Sequence, residues 1–578
     1  MGALHFFYLL SLLLTISCGE DVKTPFTSPS KKSNKNTSNS PSGSTPQKPK
    51  DQVNRIPERQ IRRLTLDLQN RLPNEHDLEI YKTDIDTAES LIRFYLASSE
   101  ADNAVALLHK NFWKLWRPKS LEVLSEFDSS LKTTLETTNS QVALDEPVKM
   151  LRFLLSSNEA FEKIFSRNYT LMDSTTATLY SQTLGTGPNP DVGTLFYNDI
   201  SRPNMGLLST FGWNAALSKS RGGKNISGAA DSVEKLSCIN LRSSSAHNFT
   251  QAKIDTIDSD MLSFSTSNTN CTSCHNQFNS LALGVPFFAS STNFTAWKSY
   301  DATIYKSGIY RGKQFNTVDD LANLIATDSK ILSCELKNVA EELLQRPIDS
   351  LADQNLTQSL YFKWKQTRNI KELIASILEE PEYSHQILGS ASARTNSLSG
   401  IRLLGPSHWE GFISQYLPTH SLKTLTLLDP TQPQSASNPE VIAIVDLVQR
   451  QYFNSYAKTF IPSGSYSNAT FDLTTRIADA LVKNDLNSTI LAKNRKILTR
   501  IPDADGYTAS DTEITNQIID SWNKWTSITI TSSDSRVTKL KAIYAEAITN
   551  GANNLEKSRN AWKWTLAAIL MSPEFVTY

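Results

Sequence analysis

Residues 58–68, which read ERQIRRLTLDL, decide the fold class of this chain. Their apolar side chains Ile61, Leu64 and Leu68 recur at spacings of three and four, the pattern of an amphipathic helix. The same spacing recurs at 88–96, 105–116, 146–165, 318–325, 334–344, 370–378, 473–482, 513–525, 539–548 and 556–570. Strand patterns are sparse, and 527–531 is the best of them. The sequence therefore predicts a mainly α, multi-domain helical protein.

A loop-rich stretch interrupts this pattern at 176–300 and carries the motif Cys271-Thr272-Ser273-Cys274-His275. Two thiols at this spacing can each add to one vinyl group of a porphyrin, and the following His can ligate the iron. The motif predicts one covalent haem c, held by Cys271 and Cys274 with His275 as proximal ligand. The alternative is a two-thiol redox or zinc site, although the sequence has no second Cys/His pair for zinc.

The second axial ligand of the iron is open. Met261 and Met205 are upstream candidates, whereas Met571 lies in a helix-end motif typical of a core. Bis-His ligation has four candidates: His247, His385, His408 and His420. Each of these single residues also has a structural or surface interpretation, and a five-coordinate iron is a further alternative.

The N-terminus indicates export. Residues 1–17 have the apolar core of a signal peptide, and Thr15-Ile16-Ser17-Cys18-Gly19 is close to a bacterial lipobox. The pattern predicts a lipidated Cys18 and anchoring to membrane lipid. The alternative is an ordinary secretory signal that leaves Cys18 unmodified. Residues 18–56 are rich in Ser, Lys, Pro, Asn and Thr, which predicts a disordered tether.

The rest of the chain is too long for one core. We expect an N-terminal helical domain at 57–175, a haem-bearing cytochrome c-like domain at 176–386 and a C-terminal helical domain at 387–578. Lys and Arg together number 58, as do Asp and Glu, so the net charge is zero. This balance argues against a nucleic-acid partner.

Cys238 and Cys334 remain once lipid and haem have taken the other cysteines. An even pair in an oxidising compartment predicts a disulfide that joins the loop-rich stretch to a following helix. The alternative is two buried free thiols.

A short pattern recurs at helix ends. Residues 377–383 read ILEEPEY, residues 569–575 read ILMSPEF, and 154–161 give a looser version. In each, an aromatic residue follows the end of a helix. The pattern indicates either a duplicated helical module or a common helix stop.

Several segments together resemble the multi-module cytochrome c proteins named for planctomycetes. They are Arg62 to Leu68, Asn168 to Met172, Met205 to Ser209, the haem motif with Leu281, Cys334 with Leu343-Leu344 and Arg346-Pro347, and Ser572 to Phe575. The resemblance covers about 57–386 and implies one covalent haem, with cysteines often at both disulfide positions. The family's Asp-Pro-Leu-Gly after the haem motif reads Asn279-Ser280-Leu281-Ala282 here, which implies an altered haem pocket.

These observations predict an extracytoplasmic, lipid-anchored electron-transfer protein of the bacterial cell envelope, on the outer membrane, with an unidentified redox partner protein. A haem oxidoreductase of peroxidase type with an open distal site is the second interpretation. A structural or interaction protein with a relic haem motif is the third. The sequence has no nucleophile elbow, zinc-protease motif, P-loop or Rossmann fingerprint, so nothing in it supports hydrolase or nucleotide chemistry.

Changing Cys18→Ser should release the protein from membranes, because the tether then carries no acyl chain. Fractionation of expressing cells, followed by immunoblotting, measures this. Ser17→Ala, one residue earlier, is the control and should stay in the membrane fraction. A Cys18→Ser protein that stays membrane-bound would show that another feature anchors it.

Overall fold

The computed structural model describes residues 58–83, 88–113, 115, 145–167, 169–172, 193–196, 205–210, 212–213, 226–239, 308–344, 346–348, 353–380, 383, 404, 406–420, 464–487, 490, 492–502 and 506–576. These regions are 71% helical, with 17 helices and little strand, which confirms the predicted mainly α fold.

The first eleven helices are α1 (Glu58–Gln69), α2 (Glu75–Thr83), α3 (Ala88–Leu96), α4 (Ser99–Phe112), α5 (Glu146–Ser156), α6 (Lys163–Ser166), α7 (Ile226–Ser237), α8 (Val318–Ala326), α9 (Ser329–Leu344), α10 (Gln354–Thr367) and α11 (Ile370–Leu378). The others are α12 (Pro406–Tyr416), α13 (Gly464–Asp485), α14 (Asp511–Thr526), α15 (Ser535–Ala547), α16 (Asn554–Leu570) and α17 (Pro573–Val576). The strands form two antiparallel pairs, β1 (Tyr169–Met172) with β2 (Gly193–Phe196) and β3 (Gly308–Tyr310) with β4 (Lys313–Phe315).

Two hydrophobic cores organise the described helices. The first draws on α1 and on α3 to α11, and the second on α12 to α16 together with Phe575 of α17. Helix α1 contributes to both. Ile61, Leu64 and Leu68 belong to the first core, whereas Leu66 belongs to the second. The helix that shows the apolar pattern most clearly therefore lies between the two cores.

Two adjacent arginines on α1 bind the ends of helices in the two cores. Arg62 donates to the carbonyls of Trp525 at 3.1 Å and Phe575 at 2.9 Å, both in the second core. Arg63 donates to the carbonyls of Leu343 at 2.8 Å and Tyr383 at 3.2 Å. Both arginines are buried. Because successive residues of a helix point about 100° apart, adjacent side chains such as Arg62 and Arg63 can reach different cores.

The ring and the hydroxyl of Tyr383 also contact side chains of α1. The Arg63 guanidinium lies 4.0 Å from the ring centroid, and the hydroxyl donates to Asp67 at 2.9 Å. Asp67 also lies one helical turn from Arg63, at 3.6 Å. The charge of the buried guanidinium is thus opposed by a buried carboxylate, which is the arrangement that buried charges require.

The recurring helix-end pattern occupies corresponding places in the two cores. Tyr383 and Phe575, the aromatic residues of the two closer copies, both offer their carbonyls to the arginine pair. Phe161, from the looser third copy, instead donates its backbone N–H to the carbonyl of Arg368 at 2.7 Å. The contacts therefore separate the first two copies from the third.

The predicted strand at 527–531 is wrong, because this segment is irregular. Ser527 takes a left-handed conformation with φ 55° and ends α14. The next backbone donors bond to side chains of that helix, Ile528 to Thr526 at 3.2 Å and Ile530 to Asn523 at 2.9 Å. Ile530 is buried in the second core. The alternation of Ile528 and Ile530 therefore reflects packing against the end of α14 and not a strand.

Two helix predictions also need correction. The segment predicted as one helix over 146–165 is interrupted after Ser156, and Asn158 has φ 53°. The stretch 176–300, predicted to be loop-rich, contains α7. Its small and polar residues hid the helical period, because the described buried face of α7 combines Val233 and Leu236 with the polar residues Asp231, Ser232 and Ser237.

Replacing Arg63→Met should lower the free energy of unfolding by about 2–4 kcal/mol, because two buried carbonyls lose their donor and the buried Asp67 loses the opposite charge beside it. Urea unfolding followed by circular dichroism measures this. The matched control is Arg93→Met: Arg93 is paired with Glu372 at 2.6 Å, but the two side chains are 41% and 43% exposed. That loss should stay below about 1 kcal/mol. Equal losses would contradict the special role of Arg63.

Candidate functional site

Described residues that precede the haem motif in the sequence and residues that follow it lie close together beside α9. Cys238, the residue after α7, forms a disulfide with Cys334 of α9, with an S–S distance of 2.04 Å and a Cα–Cα distance of 5.3 Å. This is the pairing that cysteine parity predicts from the sequence. The disulfide spans 96 residues and encloses the haem motif.

The two sulfurs have different surroundings. Cys238 is exposed and takes a left-handed conformation with φ 53°, the position at a helix end where glycine is usual. Cys334 is only 2% exposed. The Asn338 side chain, one turn along α9, places its Nδ2 atom 3.5 Å from the Cys334 sulfur and its Oδ1 atom 3.5 Å from the Cys238 sulfur. The disulfide thus has one accessible end and one enclosed end.

A second set of contacts attaches the chain on the C-terminal side of the haem motif. The β3–β4 hairpin turns at Arg311, with φ 48°, and Gly312, with φ 78°. The Arg311 guanidinium donates to the Ser237 hydroxyl at 2.6 Å and lies 2.8 Å from the Asp328 carboxylate. Ser237 is the last residue of α7 and directly precedes Cys238. The chain between Ser237 and Arg311 therefore leaves and returns at one place.

Asp328 holds this junction to α9. One of its oxygens accepts from the Lys330 backbone N–H at 2.9 Å, at the start of the helix. The other accepts from the Tyr310 hydroxyl at 2.9 Å. Burial, and then the Asp328 charge, raise the pKa of Tyr310 well above its usual value. The Tyr310 phenol therefore stays protonated, and remains a hydrogen-bond donor, throughout the physiological pH range. We call Cys238, Cys334, Ser237, Arg311 and Asp328 the clasp.

Most predicted site residues lie outside the described regions. They are Cys18, Met261, Cys271, Cys274, His275, His247 and His385. The clasp therefore lies where the stretch with the predicted haem motif is attached, and the roles of these residues stay predictions.

The structure places the remaining ligand candidates. Met205 is fully buried in the first core, next to Gly206, whose φ is 50°. A Cβ at Gly206 would lie 2.1 Å from the Ile164 carbonyl oxygen, so only glycine allows this close approach. His408 is buried on α12 and belongs to the C-terminal helices. Two other candidates lie elsewhere: His420 beside the Thr419 hydroxyl at 3.1 Å, and Met571 at the end of α16.

A buried His–Glu pair next to the clasp escaped the sequence analysis. His109 of α4 places Nε2 2.5 Å from the carboxylate of Glu335, the residue after Cys334. Its Nδ1 lies 2.7 Å from the Val105 carbonyl oxygen. Since a carbonyl only accepts, Nδ1 is the donor in the contact with Val105, and Nε2 faces the carboxylate. The pair joins α4 to the helix that holds the disulfide.

An aromatic contact connects the same region to α7. The ring of Trp113 packs against His109 at 5.1 Å and against Trp213 at 5.6 Å, with edge-to-face geometry. Trp213 donates its indole N–H to the Ser232 hydroxyl on α7 at 3.0 Å. Helices α4, α7 and α9 are thus held together by side chains just inside the clasp, which gives the clasp a rigid base.

Within the part of the chain that the structure describes, no group of three or more His, Cys, Asp and Glu side chains could hold a metal ion. No described helix is long and apolar enough to cross a membrane. Comparison of the chain with family models, curated proteins and solved structures finds no match. The resemblance to the planctomycete-type cytochromes stays a prediction based on the quoted motifs.

Removing the disulfide with Cys238→Ala and Cys334→Ala should lower the free energy of unfolding by up to about 4–5 kcal/mol, the chain-entropy value for a loop of this length. Urea unfolding of the oxidised protein measures the loss. The control is the native chain after full reduction, which should match the double variant. An unchanged midpoint in both would show that the clasp does not depend on its covalent bond.

Proposed function

We propose that this protein is an extracytoplasmic, lipid-anchored c-type cytochrome-like protein that binds one haem c covalently and transfers electrons. The observation that carries the proposal is the motif Cys271-Thr272-Ser273-Cys274-His275. It supplies two thiols for thioether bonds and one imidazole for the iron in the spacing that covalent haem attachment uses. The bound haem would supply reversible one-electron chemistry.

The clasp supports this proposal because it fastens the chain on both sides of the motif. Cys238 is bound to Cys334, and Arg311 bonds to Ser237 and Asp328. Transfer of an electron to a partner needs the haem at a defined place on the protein. A stretch with little helical pattern gains that place when its two ends are fixed to one rigid helix. The residues of the clasp orient the stretch and take no part in the redox step.

The cellular location follows from independent features that agree. The signal-like residues 1–17 and Cys18 predict export and lipidation. Covalent haem attachment takes place outside the bacterial cytoplasm. A disulfide between Cys238 and Cys334 is typical of the same oxidising compartment. The proposed location is therefore the cell envelope, with the folded part tethered to membrane lipid.

Expression with the cytochrome c maturation machinery should give protein that keeps its haem through acid–acetone extraction, because thioether bonds survive it. Cys271→Ser with Cys274→Ser should remove the covalent haem. The matched control is the Cys238→Ala, Cys334→Ala variant, which changes two other cysteines and should keep it. Haem that extracts freely from the native protein would contradict the proposal.

A reduced-minus-oxidised spectrum of the same material tests the electron-transfer role. A sharp, six-coordinate low-spin spectrum is the expected result, since a closed coordination shell favours electron transfer over ligand chemistry. A high-spin spectrum that responds to carbon monoxide or peroxide would replace the proposal with a haem oxidoreductase. Protein without any haem would leave a structural or interaction protein of the envelope.

A further inference from the structure

We propose that Cys238 is a thiol–disulfide exchange site, at which an external protein dithiol opens the clasp. Cys334 is the thiol that leaves. The inference concerns the disulfide alone and holds whether or not the chain carries haem. The two cysteines of the disulfide differ in exposure, and polar groups lie beside the sulfur of the enclosed one.

Exposure selects the point of attack. A thiolate must approach one sulfur from the side opposite the bond that breaks. Cys238 is exposed at the end of α7, whereas Cys334 is 2% exposed within α9. Attack at Cys238 is therefore open, and attack at Cys334 is closed by the packing of its own helix.

The surroundings of Cys334 suit a leaving thiolate. The Asn338 Nδ2 atom lies 3.5 Å from its sulfur and can donate to a developing negative charge. The Lys235 carbonyl oxygen lies 3.4 Å from the same sulfur and can accept once the thiol is protonated. Stabilising the leaving sulfur accelerates exchange. The same two groups thus serve both states of Cys334.

The backbone favours release of Cys238. A left-handed conformation is unfavourable for most residues with a Cβ, and Cys238 has it, with φ 53°. Once the bond opens, the chain after α7 can relax. The clasp then keeps only its polar fastening, through Arg311, Ser237 and Asp328.

The exchange balances in two steps. The first thiolate of the dithiol attacks the Cys238 sulfur, the S–S bond breaks, and Cys334 leaves and takes up the proton that the attacking thiol lost. The second thiol attacks the mixed disulfide, which releases Cys238 as a thiol and leaves the partner as a disulfide. Two electrons pass from the dithiol to the clasp.

The test uses the mature full-length chain carrying Cys271→Ser and Cys274→Ser, so that failure of haem attachment cannot affect the result. Reduced glutathione is the probe, followed by alkylation and non-reducing peptide mapping. We expect glutathione on Cys238 and alkylation on Cys334. Glutathione on Cys334, or a disulfide that resists dithiothreitol until the protein is unfolded, would overturn the proposal.

Asn338→Leu tests the leaving group. We expect dithiothreitol to reduce this variant several-fold more slowly than the native protein. The matched control is Lys337→Ala, which changes the neighbouring residue of α9, a side chain paired with Glu341 and 45% exposed. The control should react at the native rate. Equal rates for Asn338→Leu and the native protein, or a slow control, would remove Asn338 from the mechanism.

Discussion

The paired hydrogen bonds of Arg62 and Arg63 are the constraint on which the two described cores depend. The last carbonyls of a helix have no partner within it and need one elsewhere. Leu343 and Trp525 lie in the last turns of α9 and α14, and each gives its carbonyl to one arginine. A guanidinium has several donors in a fixed plane, so one side chain can serve two chain ends. Helix α1 thereby acts as a shared cap for both cores.

The arginine contacts also favour duplication over a common helix stop as the origin of the recurring sequence pattern. Helices α9 and α14 are both 16 residues long, and the arginine acceptor is the second-last residue in each. Each is followed by a helix with Asp at its N-cap and by another with Asn at its N-cap, the latter being Asn369 and Asn553. Each module then ends at an aromatic residue that is bound by α1. A helix stop alone explains none of these correspondences.

The sequence predicts those features that depend on neighbouring residues. Helices α3 and α11 have the predicted bounds because their apolar faces repeat regularly. The cysteine pair could be found by counting, since the predicted lipid and haem attachments account for the other three cysteines. The two Arg62 contacts join residues that are 463 and 513 positions apart in the sequence, and a pattern among neighbouring residues cannot reveal such a distant partner. The pair of His109 and Glu335 was missed for the same reason, because each residue alone is typical of a solvated helix face.

The clasp shows how a helical scaffold can carry a stretch that lacks a helical pattern of its own. Ordering such a stretch costs conformational entropy. Fixing both ends to α9 reduces the freedom of the chain before any contact within it forms. The covalent part of this attachment has one exposed residue, Cys238, while the side chains of its polar part, Arg311 and Asp328, are nearly enclosed. The attachment therefore combines a covalent bond, which we propose thiol–disulfide exchange breaks, with polar contacts that do not depend on it, so Arg311 still joins Ser237 to Asp328 when the disulfide is open.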